Sequence, residues 1–150
     1  MVEQLADDPD KLVLGGETKK MTFLFCDVRG FTTISESFKS DPQGLTKLIN
    51  RFLTPLTNEI INVNGTIDKY MGDCIMAFWN APIDVEGHEK MACDATLRMH
   101  KAMKELNAKR EEEAKAENKK FLELKIGIGL NTGGCAVSYT HLRAHETSNH

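Results

Sequence analysis

Asp27 and Asp73 are the two residues on which chemistry can be built. Asp27 ends a run of apolar and β-favouring residues, Met21-Thr22-Phe23-Leu24-Phe25-Cys26, which has the length of one strand. Behind it come Val28-Arg29-Gly30-Phe31-Thr32-Thr33, where Gly30 loosens the backbone and the threonines can open a helix. A strand that hands a carboxylate to a glycine turn ahead of a helix sets one anion beside several free N–H donors. That arrangement suits a divalent cation bridging to a phosphate. A plain capping aspartate is the competing use of the same residues.

Asp73 sits in the second stretch, Thr66 to Trp79, TIDKYMGDCIMAFW. Two strand-like runs, Gly65–Tyr70 and Cys74–Trp79, flank Met71-Gly72-Asp73, which predicts a hairpin with Gly-Asp at its turn and Asp73 beginning the second strand. Antiparallel pairing of Cys74–Trp79 with Met21–Cys26 would bring Asp27 and Asp73 together. Two carboxylates that close repel unless a cation lies between them, and a hard divalent ion is the usual solution.

The elements that must position these residues can be read along the chain. Val2 to Lys20 reads as a linker, broken at Asp8-Pro9 and turned at Gly15-Gly16. Phe31 to Phe38 forms a first helical piece, interrupted by Lys39-Ser40-Asp41-Pro42. A longer helix follows, with Leu45, Leu48, Ile49, Phe52, Leu53, Leu56 and Ile60 on one core-facing stripe and Pro55 expected to kink or break it. Asn64-Gly65 ends that helix and Asn80-Ala81-Pro82 closes the hairpin. From Gly87 a third helix carries Met91, Ala92, Ala95, Met99, Ala102, Met103 and Leu106 on one side, read as core filler, with His88 and His100 on its surface. Lys109 to Lys120 mixes both signs as a solvated end. Phe121 to Leu130 alternates as a strand and is expected to turn at Asn131-Thr132-Gly133-Gly134. Strand, helix, strand, strand, helix, strand is a ferredoxin-like α+β plan, an antiparallel sheet with helices on one face.

Composition excludes several classes. At 150 residues and 41% hydrophobic, the chain is one domain with a modest core, and a net charge of −3 without a basic stripe gives nucleic acid no electrostatic footing. No apolar run approaches the ~20 residues of a bilayer span. Cys26, Cys74, Cys93 and Cys135 are isolated, the pattern of apolar thiols in a reducing compartment. No phosphate-loop motif is present, which removes a P-loop ATPase, and the absence of a Gly-Gly-Asp/Glu-Glu-Phe signature leaves a diguanylate cyclase as a weaker third reading.

FLFCDVRGFTTISE followed by GTIDKYMGDCIMAFWNAP resembles the catalytic domain of class III nucleotide cyclases, the adenylate and guanylate cyclase family, and LKIGIGLNTGGCAV looks like that family's next strand and turn. The resemblance divides the chain into a linker (1–20), a partial cyclase domain (21–137) and a tail, 138–150, that does not look native to it. It implies conversion of ATP to 3′,5′-cyclic AMP and pyrophosphate with two Mg2+ or Mn2+ ions. Asp27, Asp73 and the Val28 carbonyl would hold the metals, and the backbone from Arg29 through Gly30 and Phe31 to Thr32 would receive the phosphates. Lys69 would read adenine where guanine-specific relatives carry Glu, and Lys125 would lie against the phosphates. The resemblance further implies a homodimer that completes the active site, a cytoplasmic location, and a parent protein tethered upstream to a membrane-bound sensor. The Asn and Arg that stabilise the transition state in the family would follow Val137, where SYTHLRAHETSNH stands instead, so the 150-residue chain is expected to be inactive. A non-catalytic cyclase-like module that binds nucleotide or dimerises, and a guanylate cyclase, are the alternatives.

Overall fold

Leu24, Cys26 and Val28 on one run, and Ile75, Ala77 and Trp79 on another, are buried at every second position, the period of strands with one face in a core. The computed structural model describes residues 16–138. Its elements run β1 (Gly16–Arg29), α1 (Phe31–Ser37), α2 (Pro42–Asn62), β2 (Thr66–Met71), β3 (Cys74–Trp79), α3 (His88–Ala116) and β4 (Lys125–Ser138). The four strands form one antiparallel sheet in the order β2-β3-β1-β4, the ferredoxin-like arrangement that the element order predicts.

The core lies between that sheet and the helices. Leu48, Phe52, Leu56 and Ile60 of α2 and Ala92, Ala95, Met99 and Met103 of α3 pack with Leu24, Cys26, Val28, Ile75, Ala77 and Trp79. Fully burying a large apolar side chain of this kind contributes about 1.5–3 kcal/mol. The alanines of α3 let that helix approach closely, and the methionines fill the gaps that remain. Asp41 caps α2, its Oδ1 accepting from the Gly44 N–H at 3.0 Å, with Pro42 in the first turn where no N–H is needed.

Several expectations are corrected. β1 begins at Gly16, so Gly16–Lys20 are strand rather than linker, and the rest of the expected linker lies outside the described residues. No turn forms at Asn131–Gly134: β4 continues to Ser138 because Phe23, Thr22, Met21 and Lys20 pair in turn with Asn131, Thr132, Gly133 and Gly134. Fourteen paired positions outweigh a local turn preference, and β4 is an edge strand, where glycine is tolerated. β4 starts at Lys125 rather than Phe121, since Asn107 of α3 takes both backbone groups of Leu124. Pro55 breaks nothing, as one helix spans Pro42–Asn62 with Phe52 and Leu56 anchoring either side of it. Gly30 at φ +71°, not a threonine, caps α1, and no side chain bonds there. His88 is buried rather than on the surface: its Nδ1 lies 2.6 Å from Thr22 Oγ1, which is 2.8 Å from Thr132 Oγ1. The tail from residue 139 lies outside the described residues.

Candidate active site

Because Leu24, Cys26 and Val28 face the helices, their neighbours Phe23, Phe25, Asp27 and Arg29 face the other way, and the pairing registers extend that open face across all four strands. One row across it reads Lys69, Met76, Phe25, Gly129; the next reads Met71, Cys74, Asp27, Gly127; beyond it lie Arg29 and Lys125. Asp27 therefore stands directly opposite Cys74. Asp73 precedes Cys74 and occupies the second position of a two-residue turn, one residue before the strand it was expected to begin. Gly72, the first turn residue, has φ +60°, a conformation in which a side chain would be strained.

Both carboxylates act on the same thiol. Burial pushes the Cys74 thiol above its usual range, and the charges of Asp73 and then Asp27 push it further. Cys26, on the helix side, is pushed up to about 12 by burial first, then by Asp27 and Cys74. Asp27 is exposed and Asp73 half-buried, so both carboxylates stay in reach of solvent.

Lys69 reaches this face through an irregularity. Ile67 pairs with Ala77 on the helix side and Lys69 pairs with Met76 on the open side, leaving Asp68 as an extra residue between them. Simple alternation would have sent Lys69 toward the core; the bulge turns it outward. Strand spacing of ~4.8 Å and a rise of ~3.3 Å per residue put the Lys69 and Asp27 backbones about 12 Å apart. Tyr70 then faces the helices, with its hydroxyl 3.1 Å from Thr57 Oγ1 of α2.

Gly127 supplies the room beside Asp27. A Cβ there would lie 2.9 Å from Asp27 Oδ1 and 2.9 Å from Arg29 Nη2, so carboxylate and guanidinium flank the space a side chain would fill. Only the Arg29 backbone was read as functional from sequence; the i, i+2 spacing of Asp27 and Arg29 on a strand was the signal that its side chain shares their face. Gly127→Ala is expected to displace both groups at little cost to folding, since the colliding atoms are side-chain ends. The expected outcome is weaker Mn2+ binding with an unfolding midpoint within about 1 kcal/mol of the parent. Titration calorimetry and urea unfolding read the two quantities separately.

Gly30, Phe31 and Thr32 follow at the start of α1, with Gly30 and Thr32 exposed and the Ile34 N–H bonded to the Gly30 carbonyl. The N–H groups of the helix's first residues have no intrahelical acceptor and point beyond its start. Val28 itself is buried and pairs with Ile126. Among the described residues no group of three or more His, Cys, Asp or Glu forms a metal cage. Two hard carboxylates with open surroundings fit an ion that keeps part of its water, as magnesium does.

Fold and site together define an antiparallel ferredoxin-like palm with two carboxylates at one end of the sheet's open face. A sequence profile of the adenylate and guanylate cyclase catalytic domain matches residues 15–145, and the chain belongs to that family. The adenylate cyclase of Anabaena cylindrica is 33% identical over 117 residues, 77% of this chain and 21% of that protein. Adenylate cyclase 1 of Rhizobium meliloti is 27% identical over 79% of this chain and 17% of its own length, so the chain spans about a fifth of these curated relatives. Among solved structures, the guanylyl cyclase Cya2 superposes with a TM-score of 0.71 at 31% identity, covering 83% of this chain and 59% of that one. The adenylyl cyclase CyaB from P. aeruginosa gives 0.65 at 34% identity, covering 81% and 60%.

Proposed function

We propose that the chain is the catalytic segment of an adenylate cyclase, forming 3′,5′-cyclic AMP and pyrophosphate from ATP with two magnesium or manganese ions. The observation that carries this reading is the pairing of Asp27 with Cys74, which sets Asp73 beside Asp27 while Lys69 shares their face. Asp27 and Asp73, with the Val28 carbonyl, would hold the cations. Such ions make the ribose 3′ hydroxyl easier to deprotonate and offset the charge of the departing phosphates. The backbone N–H groups from Arg29 to Thr32 bind and orient the polyphosphate, and Lys125 adds a fixed cation at the adjoining strand end. Lys69 donates to the adenine edge, which offers a ring acceptor at the position where guanine carries an N–H.

A second copy of the chain completes the site in this reading. Phe25 is 46% exposed and Met71 52% exposed, an apolar surface around the carboxylates that an isologous partner would cover. Among the described residues no helix is long and apolar enough to cross a membrane. Cytoplasmic ATP as substrate would place the domain on that side, downstream of a sensor module in a longer parent.

Lys69→Glu tests the base-reading role. Lys69 is exposed, and substitutions at such positions usually change stability by within ~0.5 kcal/mol. Cyclic AMP formation, measured on a chain continued after Val137 in the family's pattern, should fall far more than the unfolding midpoint moves; unchanged ATP kinetics would make Lys69 a spectator. The 150-residue chain itself, assayed beside it with ATP and Mg2+ or Mn2+, is expected to turn over ~10²–10³-fold more slowly for each transition-state donor that the tail does not supply.

A further inference from the structure

Ile67 and Tyr70 both face the helices although they stand at i and i+3, a spacing that unbroken strand alternation cannot satisfy. Ile67 packs against the core, opposite Ala77. Tyr70 pairs with Ile75 and reaches over the sheet edge, its hydroxyl 3.1 Å from Thr57 Oγ1. Among the described residues this is the hydrogen bond that joins β2 to α2. β2 lies at the edge of the sheet, with β3 as its single strand partner.

Asp68 is the extra residue between these two anchors. A second register would keep Ile67 opposite Ala77 and need no bulge. Asp68 would then stand opposite Met76, Lys69 opposite Ile75 and Tyr70 opposite Cys74, with Met71-Gly72-Asp73 as a longer loop. Gly72, at φ +60°, suits that loop as well as it suits the observed turn. In that register Lys69 turns toward the helices, where an edge position lets its ammonium reach water along the stem. Tyr70 moves to the open face and gives up Thr57. The Tyr70 anchor is what the observed register keeps and the other loses.

We propose that Tyr70, held by Thr57, is a positioning residue: it selects the register that sets the Lys69 ammonium, and not the Asp68 carboxylate, opposite Met76 on the open face. The inference rests on the reading of Lys69 as the donor to the base. A carboxylate in that place offers acceptors and no donor, so the choice of register is also a choice of base partner. Tyr70 acts through Lys69 and touches no substrate itself.

Cross-strand nuclear Overhauser contacts to Met76 in the 150-residue chain report which residue stands opposite it, and the parent should show Lys69. Thr57→Val keeps the shape and removes the partner hydroxyl. It should raise the share of the Asp68–Met76 register about two- to tenfold, the range of one neutral hydrogen bond. Tyr70→Ser removes the ring as well and should raise it further. Deleting Asp68 in either background takes away the residue that the bulge absorbs, and should restore Lys69 opposite Met76. A Tyr70 that only stabilised the fold would lower the unfolding midpoint without moving these contacts. Contacts from Lys69 alone in the folded variants would overturn the proposal, as would a loss of them that the Asp68 deletion does not reverse. Titration calorimetry of Mn2+-ATP against Mn2+-GTP then separates register from base reading. Tyr70→Ser should lower the ATP-to-GTP affinity ratio in step with the register, and the Asp68 deletion should recover it. A changed register beside an unmoved ratio sinks the base-reading role of Lys69. An unmoved register beside a Lys69→Glu effect on ATP sinks the positioning role of Tyr70 alone.

Discussion

Asp27→Asn and Asp73→Asn should each abolish Mn2+-dependent ATP binding and lower turnover of a continued chain by at least ~10²–10³-fold, the scale of losing one preorganised charge contact at a reacting phosphate. The substitution keeps shape and removes charge. It should not unfold the protein: Asp27 is exposed, and substitutions at such positions usually change stability by within ~0.5 kcal/mol. Cys74 offers an internal readout. Asp73 and Asp27 both help to hold its thiol above the ordinary range, so either variant should lower the pH at which that thiol becomes reactive. Thiol labelling against pH then reports removal of the charge independently of activity. A variant that shifts Cys74 reactivity and retains Mn2+-ATP binding would dissociate the carboxylate from the metal.

Trp79→Ala should be the most damaging core change, costing about 3–5 kcal/mol and lowering the melting midpoint by about 6–20 °C in a chain of this length. Trp79 is fully buried at the end of β3, and its Nε1 donates to the Val63 carbonyl at 2.9 Å. Gly65 exists to receive it, since a Cβ there would lie 2.8 Å from Trp79 Cζ2 and 2.5 Å from Ile60 Cγ2. The indole thus ties the end of α2, the entry to β2 and the end of β3 into one packed corner. Trp79→Phe would keep most of the apolar contact and leave the Val63 carbonyl without its donor, a loss of about 1–3 kcal/mol. Urea unfolding of the two variants separates cavity from hydrogen bond. The bulge at Asp68 and the hairpin carrying Asp73 both hang from this corner, so Trp79→Ala should also disorder the site.

Sequence alone determined the element order, the core stripe of α2, the hairpin around Gly72-Asp73 and the family, because each is written in local periodicity or in a contiguous motif. Alternation within Met21–Cys26 and Cys74–Trp79 also made it clear that Asp27 and Asp73 could meet. Tertiary structure decided what depends on a partner strand. Whether Asn131–Gly134 turns or pairs was settled by the length of ladder β1 offers, which no local propensity encodes. Lys69 faces out only because one extra residue, Asp68, is absorbed against β3; the sequence TIDKYM alternates equally well either way. His88 was misjudged because its burial depends on Thr22, 66 positions earlier in the chain. Leu124 stays out of the strand ladder through the grip of Asn107, a contact across 17 positions. Local chemistry names the groups a site can use; the packing of distant segments decides which of them face the same space.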